Sequence, residues 1–248
     1  MTDFMIEIAG CPIGVAALYE STRDFCGGYL SEKAPAFSVT LTQEDIDLER
    51  ELSAREDRLE GRKVQNHSDA YLETIALQRK IARVLISFDI LLFHGSCVAV
   101  DGACYLFTAK SGTGKSTHVR LWREMLGDRA VMVNDDKPFL HIGKESVTAF
   151  GTPWNGKHHL GTNISVPLKA VCILEQGAEN HMEPISPREA LTMLFQQSHR
   201  PADPKLMGKY LELLDGLAGS VAFYRLQCNM DPQAARLSYE VMSGDKKG

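Results

Sequence analysis

The sequence predicts an α/β fold with a mixed, partly antiparallel sheet, preceded by a small N-terminal α+β subdomain. Three observations lead to this prediction. Apolar side chains recur at helical spacing over residues 69–90, which indicates an amphipathic helix. Short apolar segments dominate residues 91–175, and two of them flank Asp101-Gly102, a pair typical of a type I′ hairpin turn. Further helices are predicted after these strands, over residues 187–197, 207–217 and 232–242.

The individual elements divide the chain into two parts, an N-terminal subdomain over residues 1–90 and a second domain over residues 91–248. Strands at 3–9 and 37–42 and a charged helix at 42–59, capped by Thr42, are predicted for the first part. No low-complexity linker separates the parts, so we expect a seam between subdomains, and the GDKKG tail should fray. Strands of the second part are predicted at 96–100, 103–109, 131–133, 147–150, 169–175 and 221–228.

Bulk composition excludes several functional classes. The 248 residues carry a net charge of −5, which argues against non-specific nucleic-acid binding. The longest apolar stretch, residues 81–100, contains Arg83, Asp89 and His94, so no membrane span is expected. The N-terminus lacks the pattern of a secretory signal, and the six cysteines show no C-x-x-C spacing. We therefore expect a cytoplasmic protein with reduced cysteines, and the sequence is compatible with a homo-oligomer.

The strongest motif lies between an apolar strand and a predicted helix. The segment AKSGTGKST at 109–117 fits the phosphate-loop pattern, with alanine in place of the first glycine. Glycines in such a loop let successive backbone N–H groups point at phosphate oxygens, while the lysine reaches the β and γ phosphates. The motif predicts binding of a nucleoside triphosphate with Mg²⁺. The predicted binding residues are Ala109, Lys110, Ser111, Gly112, Thr113, Gly114, Lys115, Ser116 and Thr117.

The helix after this motif offers no further obvious chemistry. Trp122 is expected to pack the helix on the sheet. Arg120 and Arg123 are expected on its solvated face.

An acidic pair, Asp135-Asp136, follows the apolar strand AVMVN downstream of the loop. Acidic pairs also occur in solvated turns, and Pro138 follows closely. Beside a phosphate loop, however, one carboxylate of such a pair suits Mg²⁺ coordination, and the other is available for a second role in the site. The pair is therefore interpreted as part of the same site.

An antiparallel hairpin leads into the loop here, whereas most phosphate-loop NTPases use a parallel βαβ sheet. The stretch FHGSCVAVDGACYLFTAKSGTGKST, with the later VNDD, resembles the HPr kinase/phosphorylase family, whose relatives include the ATP-dependent phosphoenolpyruvate carboxykinases. The shared order is His94-Gly95, the loop at 111–116 and Asp135-Asp136. The likeness covers residues 91–175 well and the C-terminal part weakly.

The resemblance implies a fold of the carboxykinase type and an ATP- and Mg²⁺-dependent kinase that transfers the γ-phosphate to a hydroxyl. It implies that Asp135 is the general base, that Ser116 and Asp136 hold the metal, and that Lys115 contacts the phosphates. His94 would lie near the transferred phosphate. The acceptor would be a serine or threonine of a protein or peptide, as in the resembled family, or a small metabolite.

This sequence departs from the family in two regions. Residues 1–90 do not match its N-terminal domain, and TPWNGKHHLGTN at 152–163 stands where its acceptor-binding signature would be. A loop of that size is often functional. It adds Trp154, Lys157, His158 and His159 as candidate substrate contacts, and Arg200 is a further candidate for binding an anion. The chain is expected to be a divergent relative with a different acceptor.

Two other functional classes remain open at this point. A nucleotide-gated regulatory module with little turnover would keep the loop and the metal but would need no base. A peptide-binding partner that has lost catalysis would not bind ATP.

Overall fold

The computed structural model describes residues 1–59 and 61–244, so the predicted fraying of the last residues, 245–248, lies outside the described part. The chain forms two compact units, Met1–Val84 and Leu85–Gly248. The first unit thus ends at Val84, whereas the sequence places the seam near residue 90. The six residues after Val84 finish a helix, form a short 3-10 turn and enter the sheet of the second unit.

Within its described residues, the first unit contains a three-stranded sheet and three α-helices. Strand order is β1-β2-β3, with β1 and β2 antiparallel and β3 parallel to β2. The strand β2 is not predicted from the sequence, because its Pro12 and Gly14 lower the strand propensity of CPIGVAA. A Cβ at Gly14 would lie 2.7 Å from the Ser38 Oγ, so a larger residue there would make the Ser38 hydroxyl move. The elements are β1 (Thr2–Ile8), β2 (Cys11–Ala17), α1 (Glu20–Phe25), β3 (Phe37–Thr40), α2 (Gln43–Leu59) and α3 (Asp69–Leu85).

Polar contacts hold the helices of this unit in place. The predicted cap of α2 is confirmed: the Thr42 backbone N–H donates to the Asp45 carboxylate at 2.8 Å. An ion pair joins Arg79 of α3 to the buried Glu49 of α2. The helix α3 itself ends at Leu85, so the prediction that it continues to residue 90 is wrong. A 3-10 turn follows, and Asp89 takes a left-handed conformation (φ 62°) that turns the chain into a strand.

The second unit carries thirteen elements around one sheet among its described residues. They are β4 (Ile90–Leu92), β5 (Ser96–Val100), β6 (Ala103–Thr108), α4 (Lys115–Leu126), β7 (Ala130–Asn134), β8 (Phe139–Ile142), β9 (Val147–Phe150), β10 (Ser165–Gln176), β11 (His181–Ile185), α5 (Pro187–Gln197), α6 (Pro204–Ser220), β12 (Ala222–Cys228) and α7 (Pro232–Ser243).

The sheet is mixed, which confirms the predicted fold class at that level. Its main path runs β4-β8-β9-β10-β6-β5-β7, with β12 and then β11 branching from β10. The strand β10 lies parallel to β6 and β12, and the other pairings are antiparallel. The hairpin between β5 and β6 turns at Asp101 and Gly102, whose φ angles of 50° and 81° are both positive, as predicted.

Alternate residues of the central strands pack on opposite faces of the sheet. Cys97 and Ala99 of β5 lie in a core with α5 and α6, whereas Val98 and Val100 lie in a second core with α4 and α7. Trp122 of α4 is fully buried in the second core and contacts the rings of two β6 aromatics at 5.0 and 5.2 Å, as predicted. The six cysteines are unpaired, and no helix in the described part of the chain has the length and apolarity to cross a bilayer.

Candidate functional site

The strand order brings three separate sequence motifs together at the adjoining ends of β5, β6 and β7. The strand β5 is antiparallel to both of its neighbours, so its start lies beside the ends of β6 and β7. The residues before β5, the loop after β6 and the residues after β7 therefore meet. Two hydrogen bonds mark the meeting point: the Gly95 backbone N–H donates to the Asp136 carbonyl at 3.0 Å, and the Thr108 side-chain hydroxyl donates to the His94 carbonyl at 3.0 Å.

Glycine at position 95 is required by this close approach. A Cβ there would lie 2.9 Å from the Phe107 carbonyl oxygen. A β-bulge between Cys97 and Val98 shifts the register with β7 immediately before the acidic pair.

The loop after β6 exposes backbone N–H groups at the start of α4. Gly112 (φ 78°) and Gly114 (φ 113°) are both in conformations that L side chains rarely adopt, and Thr113 closes a turn on the Lys110 carbonyl. Gly114 occupies the N-cap position of α4 and supplies no capping side chain. The first-turn N–H groups of α4 therefore have no side-chain acceptor within the described chain, and the positive end of the helix dipole faces outward.

Lys115, the first residue of α4, folds back over this loop. Its ammonium donates to the Ala109 carbonyl at 3.2 Å. Burial lowers the pKa of Lys115, while the carboxylate of Asp136 acts in the opposite direction. The lysine therefore stands between the loop and the acidic pair.

His94 and Asp136 form a pair beside Lys115. The His94 Nε2 lies 3.2 Å from an Asp136 carboxylate oxygen, and about a third of each side chain is exposed. Burial lowers the pKa of His94, as do the charges of Lys137 and Lys115, and these outweigh the opposing effect of Asp136. Burial also tends to raise the pKa of Asp136, but the His94 hydrogen bond and the neighbouring positive charges lower it below its ordinary value. Asp136 is thus ionised at neutral pH.

Asp135 is held by the loop that follows β9. The Gly156 backbone N–H donates to the Asp135 Oδ1 at 2.7 Å, and the Ser96 hydroxyl donates to the Asp135 carbonyl at 3.0 Å. The other carboxylate oxygen, Oδ2, has no hydrogen-bond partner among the described residues. A Cβ at Gly156 would lie 3.0 Å from that oxygen, so glycine keeps the space beside the carboxylate open.

Asn134 connects the acidic pair to this loop, and sequence reasoning missed it. Its Oδ1 accepts from the backbone N–H groups of Asp136 at 2.8 Å and Lys137 at 2.6 Å. Its Nδ2 lies 3.0 Å from the Thr152 hydroxyl and 3.2 Å from the Asn155 Oδ1. The side chain is fully buried. A signal was present, because asparagine often accepts hydrogen bonds from N–H groups two and three residues later.

A pocket of about 290 Å³ lies between α4 and the 152–163 loop. Its polar lining comprises Ser96, Ser116, Thr117, Arg120, Arg123, Asp135 and His158. Arg120 is exposed, as expected, whereas Arg123 is half-buried. Both border the same space as Asp135. Their spacing from Ser116, four and seven residues, was the available signal.

A second pocket, of about 430 Å³, borders the same loop on its other side. It lies between Gly112–Gly114 and the ends of β10 and β12, and apolar side chains contribute much of its wall. These are Leu121, Leu174 and Met230.

The structure separates the other candidate substrate residues. Trp154 is buried and its ring packs edge-on to Phe139, so it belongs to the core and lies outside the pocket lining. Lys157 and His159 are exposed beside His158. Arg200 is exposed and its guanidinium lies over the Phe195 ring at 5.5 Å, and it lines none of these pockets.

The oxygen ligands at this site suit a hard cation that also binds phosphate oxygens. Ser116 offers a hydroxyl at the helix start, and Asp136 offers an ionised carboxylate. The described residues contain no cluster of three or more histidine, cysteine or acidic side chains able to hold a metal ion alone. Mg²⁺ typically binds one or two protein oxygens and completes its shell with phosphate and water, so the residues present fit that ion.

Comparison with known proteins assigns the chain to a family. The model of the ScmC family, described as SynChlorMet cassette protein ScmC, matches residues 62–230, more than half of the chain, and the chain therefore belongs to that family. No curated protein matches. Among solved structures, the HPr(Ser) kinase/phosphatase from Coxiella burnetii is similar at 11% identity and a TM-score of 0.32, covering 62% of this chain and 95% of that chain. That similarity is too low to support an inference about chemistry.

Proposed function

We propose that this ScmC-family protein binds ATP with Mg²⁺ at the 109–117 segment and transfers the γ-phosphate to a hydroxyl group. One observation carries the proposal. An uncapped helix start, a lysine, a histidine and two carboxylates converge at a single sheet edge from three separate parts of the sequence. Phosphoryl transfer depends mainly on positioning and charge stabilisation, and these groups can supply both.

In this proposal the triphosphate lies along the N–H groups from Gly112 to Thr117. The phosphates then occupy the positive end of α4, where anion binding is favoured. The pocket beside Leu174 and Met230 takes the base and ribose, because it offers apolar walls next to the loop. The other pocket, which contains Asp135, takes the acceptor.

Asp135 acts as the general base in the transfer. Its free Oδ2 accepts the proton of the acceptor hydroxyl while the acceptor oxygen attacks the γ-phosphorus and the bond to the bridging β-γ oxygen breaks. The products are a phosphoester, a protonated Asp135 and ADP, and the proton then passes to solvent. Gly156 holds the other oxygen of the carboxylate at 2.7 Å and so orients it.

The remaining groups balance the phosphate charge. Ser116 and Asp136 would hold Mg²⁺, which supplies neutralisation of the phosphate oxygens when bound. Lys115 exchanges its Ala109 contact for a phosphate contact. His94 orients Asp136 through a hydrogen bond, and burial lowers the pKa of His94.

The choice of acceptor is supported by the motif order that this sequence shares with the HPr kinase/phosphorylase family. A serine or threonine of a protein or peptide is proposed first, and a small hydroxyl metabolite is the alternative. A regulatory module that binds ATP with little turnover would use the same loop, so binding alone does not distinguish the two functions.

Nucleotide binding is tested by calorimetry with Mg²⁺ and ATP. The variant Lys115→Ala should lose phosphoryl transfer by on the order of 10² to 10³, because it removes a preorganised charge contact. Lys144→Ala removes an exposed lysine outside both pockets and serves as the control. Transfer in Lys115→Ala within about a factor of ten of wild type would exclude the loop as the phosphate site.

Variants of the acidic pair distinguish a kinase from a regulatory module with little turnover. Asp135→Asn should keep ATP affinity within a few-fold but lower transfer by about 10² to 10⁴, because it removes the base. Asp136→Asn should instead raise the Mg²⁺ concentration required for binding. Transfer of label from ATP is measured on the samples used for calorimetry. Unchanged transfer in Asp135→Asn would reject the base assignment and favour the regulatory function.

A further inference from the structure

We infer that the acceptor carries an anionic group, a carboxylate, close to its reacting hydroxyl, and that Arg123 with Arg120 binds that group. The inference rests on the proposed function, because it places the acceptor in the pocket that contains Asp135. It adds an anionic group on the acceptor, which neither the sequence motif nor the family assigns.

The two arginines line the acceptor pocket because of their positions on α4. Arg120 and Arg123 follow Ser116 by four and seven residues, so all three lie on one face of the helix. At 1.5 Å per residue they stand about 6 and 10 Å along the helix axis from Ser116. The face thus runs from the proposed phosphate position along the part of the lining that α4 supplies.

The two guanidinium groups differ in their present partners. Arg120 pairs with Glu124 at 2.6 Å, and both side chains are more than half exposed. Arg123 is half-buried and forms no ion pair with any described residue. A partly desolvated guanidinium without a carboxylate partner is suited to an incoming anion, which it can bind through two parallel N–H donors.

The pocket lining carries charges of both signs. Asp135 comes from the end of β7, and the two arginines come from α4. A carboxylate suits a hydroxyl that must lose a proton, and a guanidinium suits an acidic substituent. The volume of about 290 Å³ has room for one small hydroxy acid or for one or two residues of a peptide. Met132 and Leu160 add apolar side chains to the same lining.

The experiment compares acidic and neutral acceptors that share the same hydroxyl. N-acetylserine and N-acetylserinamide form a small-molecule pair, and the peptides acetyl-Ser-Ala-Asp-amide and acetyl-Ser-Ala-Asn-amide form a peptide pair. Binding is measured by ligand-observed NMR with the full-length protein, with and without Mg²⁺ and a non-hydrolysable ATP analogue. The pair that shows the larger acidic preference identifies a small hydroxy acid or an acidic peptide as the acceptor.

We expect at least one acidic probe to bind about tenfold more tightly than its neutral partner, which is the gain typical of a charged hydrogen bond. The preference should fall to within about twofold in Arg123→Ala and should persist in part in Arg123→Lys, which keeps the charge but loses the paired donors. Arg188→Ala, which removes an exposed arginine of α5 outside both pockets, should keep the full preference.

Equal binding of acidic and neutral probes, the absence of saturable binding by both acidic probes, or a preference that survives Arg123→Ala would overturn the inference. Binding of the ATP analogue is recorded on the same samples. Analogue binding without an acidic preference rejects the anion site alone. An Arg123-dependent preference without analogue binding rejects the proposed function and leaves the anion site intact.

Discussion

Replacing Asn134 by alanine tests whether one buried amide holds the acidic pair and the 152–163 loop together. The side chain is fully buried. Its oxygen accepts from two backbone N–H groups, those of Asp136 and Lys137, and its amide nitrogen lies within 3.3 Å of four acceptors in residues 152–155. An amide carries only two donor hydrogens, so at most two of those four contacts are full hydrogen bonds.

The expected cost follows from the groups that the substitution leaves unpaired. A buried polar group without a partner costs about 1–3 kcal/mol. Two N–H groups and up to two acceptors lose their partner, but Asp136 and Lys137 are half-buried and water can reach part of this region. We therefore expect the free energy of unfolding to fall by about 3 kcal/mol, which corresponds to about 6–12 °C in Tm for a chain of this size.

Urea unfolding followed by tryptophan fluorescence measures this change, because Trp154 lies in the affected loop. Asn134→Asp provides a second comparison. It keeps the acceptor but loses the donor and adds a third negative charge next to Asp135 and Asp136, so it should be at least as destabilising at pH 7. Asn180→Ala, at an exposed amide that accepts one backbone hydrogen bond, should cost less than about 1 kcal/mol. A loss below about 0.5 kcal/mol in Asn134→Ala would refute the assigned role of the amide.

Two further predictions concern stability. Burial lowers the pKa of His118 from 6.5 to about 4, so the unfolded chain binds the proton more tightly than the folded chain does. About 3 kcal/mol of the free energy of unfolding, present above pH 6.5, should therefore be lost as the pH falls toward 4. His118→Phe should remove that pH dependence in urea unfolding at several pH values, and an unchanged slope would show that other groups cause it. Gly151→Ala would place a Cβ 2.0 Å from the Thr162 carbonyl oxygen and should lower the free energy of unfolding by about 3 kcal/mol. Gly208→Ala, in a helix with open space, should cause no loss, and equal stabilities of the two variants by thermal melting would contradict the close approach.

Local sequence patterns determined much of the secondary structure. The hairpin at Asp101 and Gly102, the capped start of α2 and the bounds of α5 depend on backbone conformations that a few neighbouring residues specify. The segment 109–117 likewise contains its own turn residues and the helix start. The mixed character of the sheet followed from the antiparallel hairpin combined with later strands and helices.

Strands with weak local patterns were decided by tertiary pairing. FLHI of β8 is short, and HMEPI of β11 contains Pro184, which is tolerated because β11 pairs only with β12 on one side. The same cause ends α3 early. Ile90–Leu92 has apolar side chains that would continue the helix, but it pairs with β8 and so becomes a strand.

The candidate site shows the same division. The sequence by itself indicated the loop, His94 and the acidic pair, because each residue type has a recognisable chemistry next to its neighbours. Only the tertiary structure decided that Trp154 is buried, that Asn134 joins the acidic pair to the 152–163 loop, and that Arg123 shares a pocket with Asp135. These relations join residues that are distant in sequence, and they depend on the order in which strands pair, which no local pattern contains.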